Sequence, residues 1–304
     1  MNEPVLHRTS LAAGATPVRC ATPVRCATRV RCAALWLMAA AGIGAAAAQP
    51  APGAPAAAAV SPAAPTQSGG SSDDELAAKA TDPTAQLMSF QFSDWYTASY
   101  HGAEDTSNQL VFRAAIPFDL GGTKHIFRIT QPYATSSPAG SGLVDTTVFD
   151  LVVFDASWGR WGVGLSATLP TGATGLSTDK WTAGPAAGFV NASDKRYNWG
   201  LFVQSFFSFA GKASAPDVGI LNIQPIFSWP LGGGRSLSIG NSALLYDTER
   251  SRWTSLLASV NYGQVVTFAG HKWRPNVEVG YDFKDDPGNA KWIARAGIAL
   301  LLPK

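Results

Sequence analysis

The stretch SFFSFAGKASAPDVGILNIQPIFSW, residues 205–229, holds two aromatic-rich runs divided by a turn of Gly, Ala, Ser, Pro and Asp. Asn222 and Gln224 sit inside the second run, where the core of a soluble protein would bury their amides at a cost of several kcal/mol, roughly 2–7 each when unpaired. The conflict disappears if inside and outside are exchanged. With Leu221, Ile223, Phe227 and Trp229 facing lipid, Asn222 and Gln224 face a polar lumen. Pro225 cannot donate to a ladder, so a bulge is expected there.

The same two-faced texture recurs from about residue 85 onward. Leu110, Phe112, Ala114 and Ile116 oppose Arg113; Phe127 and Ile129 oppose Arg128; Phe149, Leu151 and Val153 oppose Asp150. Trp161, Val163, Leu165 and Ala167 oppose Gly162, Gly164, Ser166 and Thr168. Val277, Val279, Tyr281 and Phe283 oppose Glu278, and Trp292 through Leu302 alternate against Arg295. Strands of about ten residues with connections of about eight fill this region with about twelve strands. The expected fold is all-β, an up-and-down antiparallel transmembrane β-barrel over residues 85–304. Its connections alternate between long ones such as SYHGAEDTSN and tight ones such as DLGGTK, as outer loops and periplasmic turns do.

Composition agrees. Only 14% of the 304 residues are charged against 46% hydrophobic, and a soluble surface needs more charge, near 25% of an average chain. Residues 1–48 read as a secretory signal peptide: arginines up to Arg31, an apolar run over 33–48, and small residues at Ala46 to Ala48. That leader takes with it a hexapeptide repeat carrying all three cysteines, Cys20, Cys26 and Cys32. It also takes five of 23 basic residues and one of 21 acidic ones, so 18 basic and 20 acidic residues remain. A basic nucleic-acid surface is thereby excluded, and no disulfide framework is available. Residues 49–84, rich in Ala, Pro and Ser, read as a disordered linker with one helical turn near its end.

The tryptophans after the leader all lie at strand ends or in turns. Trp95, Trp181, Trp253 and Trp292 are expected at the outer rim, and Trp158, Trp161, Trp199, Trp229 and Trp273 at the inner rim, forming two membrane-interface girdles. A soluble β-sandwich would instead put tryptophan near strand centres and Lys or Glu on its solvent faces.

The expected lumen or solute-path lining is Arg113, Arg128, Asp150, Gln204, Asn222, Gln224, Asn261, Glu278 and Arg295. Glu278 and Arg295 belong to neighbouring final strands and are placed to pair. The same residues also suit a purely structural network, since lumen charges need partners whether or not anything passes. His101, His125 and His271 stand in or beside connections, with no Ser on the same face, so no enzyme is expected. EDTSN and KDDPGN lack the spacing of a calcium loop, so neither a metal nor a cofactor is expected.

The segments WGVGLSATLPTGATG, KWTAGPAAGFV and WGLFVQSFFSFAGKASAPDVGILNIQPIFSWPL resemble the outer-membrane β-barrel transporters described as MetA-pathway of phenol degradation proteins. The likeness spans roughly residues 125–304 and is most specific at Trp199, Gln204, Phe209, Ala210, Gly211, Asp217, Gln224 and Pro225. It implies an outer-membrane channel for small solutes, aromatic or hydrophobic ones among them, with membrane lipid, the solute and the outer-membrane assembly machinery as partners. The chain closes on Pro303 and Lys304, a departure from the aromatic end that such barrels commonly carry. The alternatives are a non-conducting barrel that presents its surface loops, and a soluble periplasmic β-protein.

Overall fold

The computed structural model describes residues 72–303; the leader and most of the linker lie outside the described residues. Twelve strands form the wall: β1 (Met88–Tyr100), β2 (Ser107–Leu120), β3 (Thr123–Ser136), β4 (Thr146–Ala156), β5 (Gly159–Leu169) and β6 (Lys180–Asn191). They continue as β7 (Asn198–Gly211), β8 (Gly219–Gly232), β9 in two pieces (Arg235–Ser238 and Leu244–Asp247), β10 (Arg252–Gln264), β11 (His271–Asp282) and β12 (Ala290–Leu302). Each pairs antiparallel with its sequence neighbour. The barrel closes where Met88 to Tyr100 of β1 pair with Leu302 to Ala290 of β12. With an even number of strands the first and last begin and end at one rim. That rim carries the turns 121–122, 157–158, 192–197 and 233–234, and the opposite rim carries the longer loops.

Strand parity decides what faces in. Glycines let bulky inward residues lie across the floor of the barrel. A Cβ on Gly188 of β6 would stand 2.8 Å from the Phe202 ring, and one on Gly162 of β5 would stand 3.4 Å from Val153 Cγ2. Phe149 of β4 therefore reaches over the two intervening strands to Phe202 of β7, with ring centroids 5.2 Å apart. Ile126, Leu151, Val153 and Ala186 complete this buried cluster, and Ile226 packs against it. The lumen is thus apolar on one side of its lower half, contrary to the expectation that every apolar face looks at lipid.

Asp150 is a correction of the same kind. It pairs in register with Phe127, shares that residue's outward face, and receives His125 Nδ1 at 2.9 Å on the outer wall. Trp95 is another. It shares the parity of Gln91, Ser93 and Thr97 and lies inside, with the Arg295 guanidinium 4.4 Å above its ring. The other tryptophans form two belts. Phe154–Trp161, Phe189–Trp199 and Phe227–Trp229 ring contacts run along the turn rim, and Tyr246–Trp253 and Tyr281–Trp292 along the loop rim. Trp158 meets Phe189 in the first belt. Trp273 donates Nε1–H to the Phe268 carbonyl at 3.2 Å, while Trp181 stays exposed at the other rim.

The end of the expected linker is not disordered. Ser72 caps the helix α1 (Asp73–Ala80) by accepting Glu75 N–H, and Leu76 and Ala77 bury themselves against Leu87, Val265, Ala299 and Leu301. Lys272 of β11 pairs with Asp73 at 2.6 Å. Asp82 pairs with Arg160 of β5, and also accepts Thr84 N–H at 2.7 Å and Thr84 O–H at 2.6 Å. In a ring of twelve strands β5 and β11 are six apart, so residues 73–82 cross the mouth from one side to the other.

No bulge forms in β8 at Pro225, which keeps its register with Leu201 of β7. The irregularity falls on β9 instead. That strand leaves the regular ladder after Ser238 and regains it at Leu244, with Ile239 N–H still on the Phe227 carbonyl at 3.0 Å and Leu257 N–H on the Ala243 carbonyl at 3.1 Å. Gly240 makes the inward turn with φ +62°, and an added Cβ would meet Ser259 Oγ at 2.6 Å and Glu278 Cδ at 2.8 Å. Gly240→Ala is expected to destabilise the barrel by about 1–2 kcal/mol or more, read as a lower temperature for conversion of the compact band on an electrophoretic gel.

Candidate functional site: a charged diaphragm between two chambers

The inward turn of β9 brings Asn241 to the middle of the lumen. Its main-chain N–H reaches Glu278 Oε1 at 3.2 Å and its Nδ2 reaches Oε2 at 2.9 Å. Arg113 Nη1 donates to Asn241 Oδ1 at 3.2 Å from the far wall. Arg295 closes on Glu278 Oε1 at 2.6 Å, with the carboxylate side chain 1% exposed. Asn261 Nδ2 adds a longer contact to Oε2 at 3.5 Å. The pairing of Glu278 with Arg295 follows from their direct register across β11 and β12. Asn241, which no sequence argument singled out, is the residue that joins the two walls.

This diaphragm divides the lumen. Toward the loops lies a cavity of about 160 Å³ bounded by Trp95, Gln109, Ser255, Asp282 and Arg295. Toward the plug lies a chamber of about 120 Å³, with Thr81 and Pro83 of the plug, Arg113, Arg128, Gln224 and Arg274 among its walls. Arg113 thus borders the chamber on the plug side and Arg295 the cavity on the loop side, with both guanidiniums by the Trp95 ring, 5.7 and 4.4 Å from its centroid.

The charge balance around the diaphragm is uneven. Arg113, Arg128, Arg274 and Arg295 project inward at this level against Glu278, with Asp82 and its own partner Arg160 below. Arg128 lies 5.1 Å from the Phe149 ring centroid, and its Nε has no hydrogen-bond partner among the described residues. Arg274 holds Ser236 Oγ and Asn261 Oδ1 at 3.2 Å through Nη2 while its Nε is likewise unpartnered. Four guanidiniums and one carboxylate in a narrow passage make a positive potential, focused by the low-dielectric wall.

Of the remaining expected lining residues, Gln204, Asn222 and Gln224 point inward and sit side by side on β7 and β8: Gln204 pairs with Asn222 and Phe202 with Gln224. Gln204 is buried and Asn222 Oδ1 is buried without a partner among the described residues.

At the loop rim, Asp145 latches the connection 170–179. It accepts Gly172 N–H at 3.0 Å, Thr178 N–H at 2.8 Å and Thr178 O–H at 2.7 Å. Burial works to raise the Asp145 carboxyl, but these bonds outweigh it and hold the group below the usual carboxylate range. A depressed folded-state pKa contributes stability at pH values above the unfolded carboxylate value, near 4, and that contribution is lost as pH falls below it. Protease cleavage within 170–179 is therefore expected to be constant from pH 5 to 8 and to accelerate below about pH 4. Asp145→Asn should show the accelerated cleavage already at neutral pH.

The closed, plugged, outward-apolar barrel is the architecture of outer-membrane proteins. No protein-family model matches the sequence, and no curated protein matches it. Solved structures do. An outer membrane channel from Pseudomonas putida F1 is similar over 73% of this chain and 98% of its own, at 15% identity and a TM-score of 0.55. Outer membrane phospholipase A from Escherichia coli is similar over 74% of this chain and 95% of its own, at 12% identity and a TM-score of 0.39. The outer membrane phospholipase dimer of Salmonella typhi with bound calcium gives 13% identity, coverages of 76% and 98%, and a TM-score of 0.40.

The expectation of no enzyme is corrected on two counts. Enzymes stand among the similar structures, and the premise that no Ser shares a face with a histidine leaves out threonine. His125 Nε2 lies 3.0 Å from Thr123 Oγ1 and its Nδ1 2.9 Å from Asp150 Oδ2. The Thr123 hydroxyl donates to the Leu120 carbonyl at 2.6 Å.

Proposed function

We propose that the chain is an outer-membrane channel for small solutes, delivered by the leader 1–48 and the assembly machinery, with the two tryptophan belts at the lipid headgroups. The observation that carries it is the pair of chambers meeting at the Arg113–Asn241–Glu278–Arg295 diaphragm. A lumen packed only for stability would have no need of cavities on both sides of a hydrogen-bonded constriction.

The lining also supports a preference among solutes. Excess guanidinium favours anions, and the faces of Trp95 and Phe149 beneath Arg295 and Arg128 favour flat apolar groups. Small aromatic acids satisfy both, in keeping with the resemblance to transporters of phenol-degradation type. A non-conducting barrel is the second reading, favoured by the plug and by the buried Phe149–Phe202 cluster.

Planar-bilayer recording under a salt gradient separates them. Channel openings with a reversal potential on the chloride side, and block by millimolar benzoate but not by benzylamine, are expected. Arg113→Gln should reduce the chloride preference. Absence of openings in the wild-type protein overturns the channel reading.

A further inference from the structure

We infer that the inner chamber is a binding site for one free inorganic oxyanion of the phosphate or sulfate class, held by Arg128 with Arg274, Arg113 and Gln224, whether or not ions cross the barrel.

Arg128 is a cation with nothing to hold. It projects from β3 into the chamber, and its guanidinium donates no hydrogen bond among the described residues, Nε being buried as well. The Phe149 ring lies 5.1 Å from its Cζ, but a ring face accepts no share of the fork of N–H groups that a guanidinium presents. Losing the proton is no escape, because arginine stays charged in proteins. A guanidinium withdrawn from bulk water without an anion is strongly unfavourable.

The neighbouring carboxylates are already committed. Glu278 serves Arg295 and Asn241, and Asp82 serves Arg160 and Thr84. Arg274, 5% exposed, uses Nη2 on Ser236 and Asn261 and leaves Nε unpartnered. Gln224 borders the same chamber with its amide unbonded among the described residues. Positive charge and free donors thus meet in one space where no acceptor is left over.

Direction and size select the ion. Arg113 and Arg128 come from the adjacent β2 and β3, Arg274 from β11 and Gln224 from β8. A carboxylate offers two oxygens on one edge, suited to a single guanidinium fork. A tetrahedral oxyanion offers acceptors in every direction and meets donors from separate walls at once. The 120 Å³ of the chamber is below the roughly 150 Å³ that hold one benzene, so one inorganic ion fits and a sugar phosphate does not. Thr81 and Pro83 of the plug close the chamber below and Asn241 above, walls that keep out a phosphate carrying acyl chains.

The full chain, purified in phosphate-free buffer of low ionic strength, is dialysed against radiolabelled orthophosphate. Saturable binding of one ion per chain is expected, displaced by sulfate, and displaced about tenfold less effectively by benzoate, the loss that follows when a guanidinium goes unbonded. Arg128→Gln should weaken binding about tenfold or more, with folding checked by heat-modifiable gel migration. Gln224→Leu, which removes a donor and no charge, should weaken it several-fold and serves as the test if Arg128→Gln does not fold. Arg196→Gln, on an exposed turn outside the lumen, should bind as wild type does. Phosphate should also raise the temperature at which the compact band converts in wild type and leave that of Arg128→Gln unchanged.

Absence of saturable binding, binding that survives both lumen substitutions, or benzoate displacing as well as sulfate does overturns the site. Displacement by short-chain phosphatidic acid would assign it to a lipid headgroup and overturn the free ion. Saturable binding by a protein that carries no current in planar bilayers would retain the site and remove the channel.

Discussion

Deleting residues 73–84 from the full chain is expected to raise the conductance of the reconstituted barrel several-fold while leaving the barrel folded. The deleted segment is the one that crosses the turn-end mouth. It is anchored on one side by Lys272–Asp73 at 2.6 Å and Gly234 N–H on Asp74 Oδ1 at 2.6 Å, and on the other by Asp82–Arg160. Its one large apolar anchor is Leu76, fully buried, which contributes about 1.5–3 kcal/mol. None of these contacts belongs to the strand ladder, which closes between β1 and β12 without them. The plug is therefore a layer added to a complete wall. Asp82→Asn should give an intermediate result, because it releases Arg160 and loosens the far anchor while Leu76 and Lys272 keep the helix seated. Single-channel amplitude distinguishes the three proteins. An amplitude unaffected by deletion would mean that ions do not pass the turn-end mouth.

How much of this arrangement is legible in the sequence depends on what each residue's neighbours say. Along β11 the inward residues from Lys272 to Asp282 are small or polar and the outward ones from Trp273 to Tyr281 apolar, while β8 and β12 keep the same alternation around Asn222, Gln224 and Arg295 but turn Ile226, Ile293 and Leu301 inward as well; parity placed Asn222, Gln224, Glu278 and Arg295. In β4 both faces are largely apolar. A single Asp150 then decided the assignment, and decided it wrongly, because its partner His125 lies on another strand and the Phe149–Phe202 packing depends on glycines two strands away. Trp95 was assigned by its place near a strand end, although its own parity with Gln91 and Ser93 points inward. The helical turn expected near the end of the linker has a local signal, Ser72 followed three residues later by Glu75 as in a helix-capping pattern, with Leu76 directly after it; nothing in that pattern says that the helix plugs the mouth. Pro225 marked an irregularity correctly but on the wrong strand. A missing N–H weakens whichever neighbour it faces, and the one-dimensional pattern does not say which neighbour that is.

Glu278→Gln is expected to be the most damaging single substitution in the lumen. The carboxylate is 1% exposed and serves Arg295 and the Asn241 main chain with Oε1, Asn241 and Asn261 side chains with Oε2. A glutamine amide keeps one acceptor, but turns its NH₂ toward either two amide donors or a guanidinium. It also leaves Arg113 and Arg295, both beside the Trp95 ring, without the counter-charge of Glu278. Removing one partner of a buried pair costs about 3–5 kcal/mol, and the inward turn at Gly240–Ser242 loses the acceptor that holds it. The compact band should convert at a clearly lower temperature, and the channels that remain should be noisier and more strongly anion-selective. The double substitution Glu278→Leu with Arg295→Met separates pairing from packing. Removing both charges leaves neither stranded, so the double variant should be more stable than Glu278→Leu alone, with a coupling energy of about 1–3 kcal/mol. Single effects that simply add would show that Glu278 acts through Asn241 and the turn rather than through Arg295. In that case the selectivity should follow Arg113, which touches Asn241, and Arg295→Met should leave it unchanged.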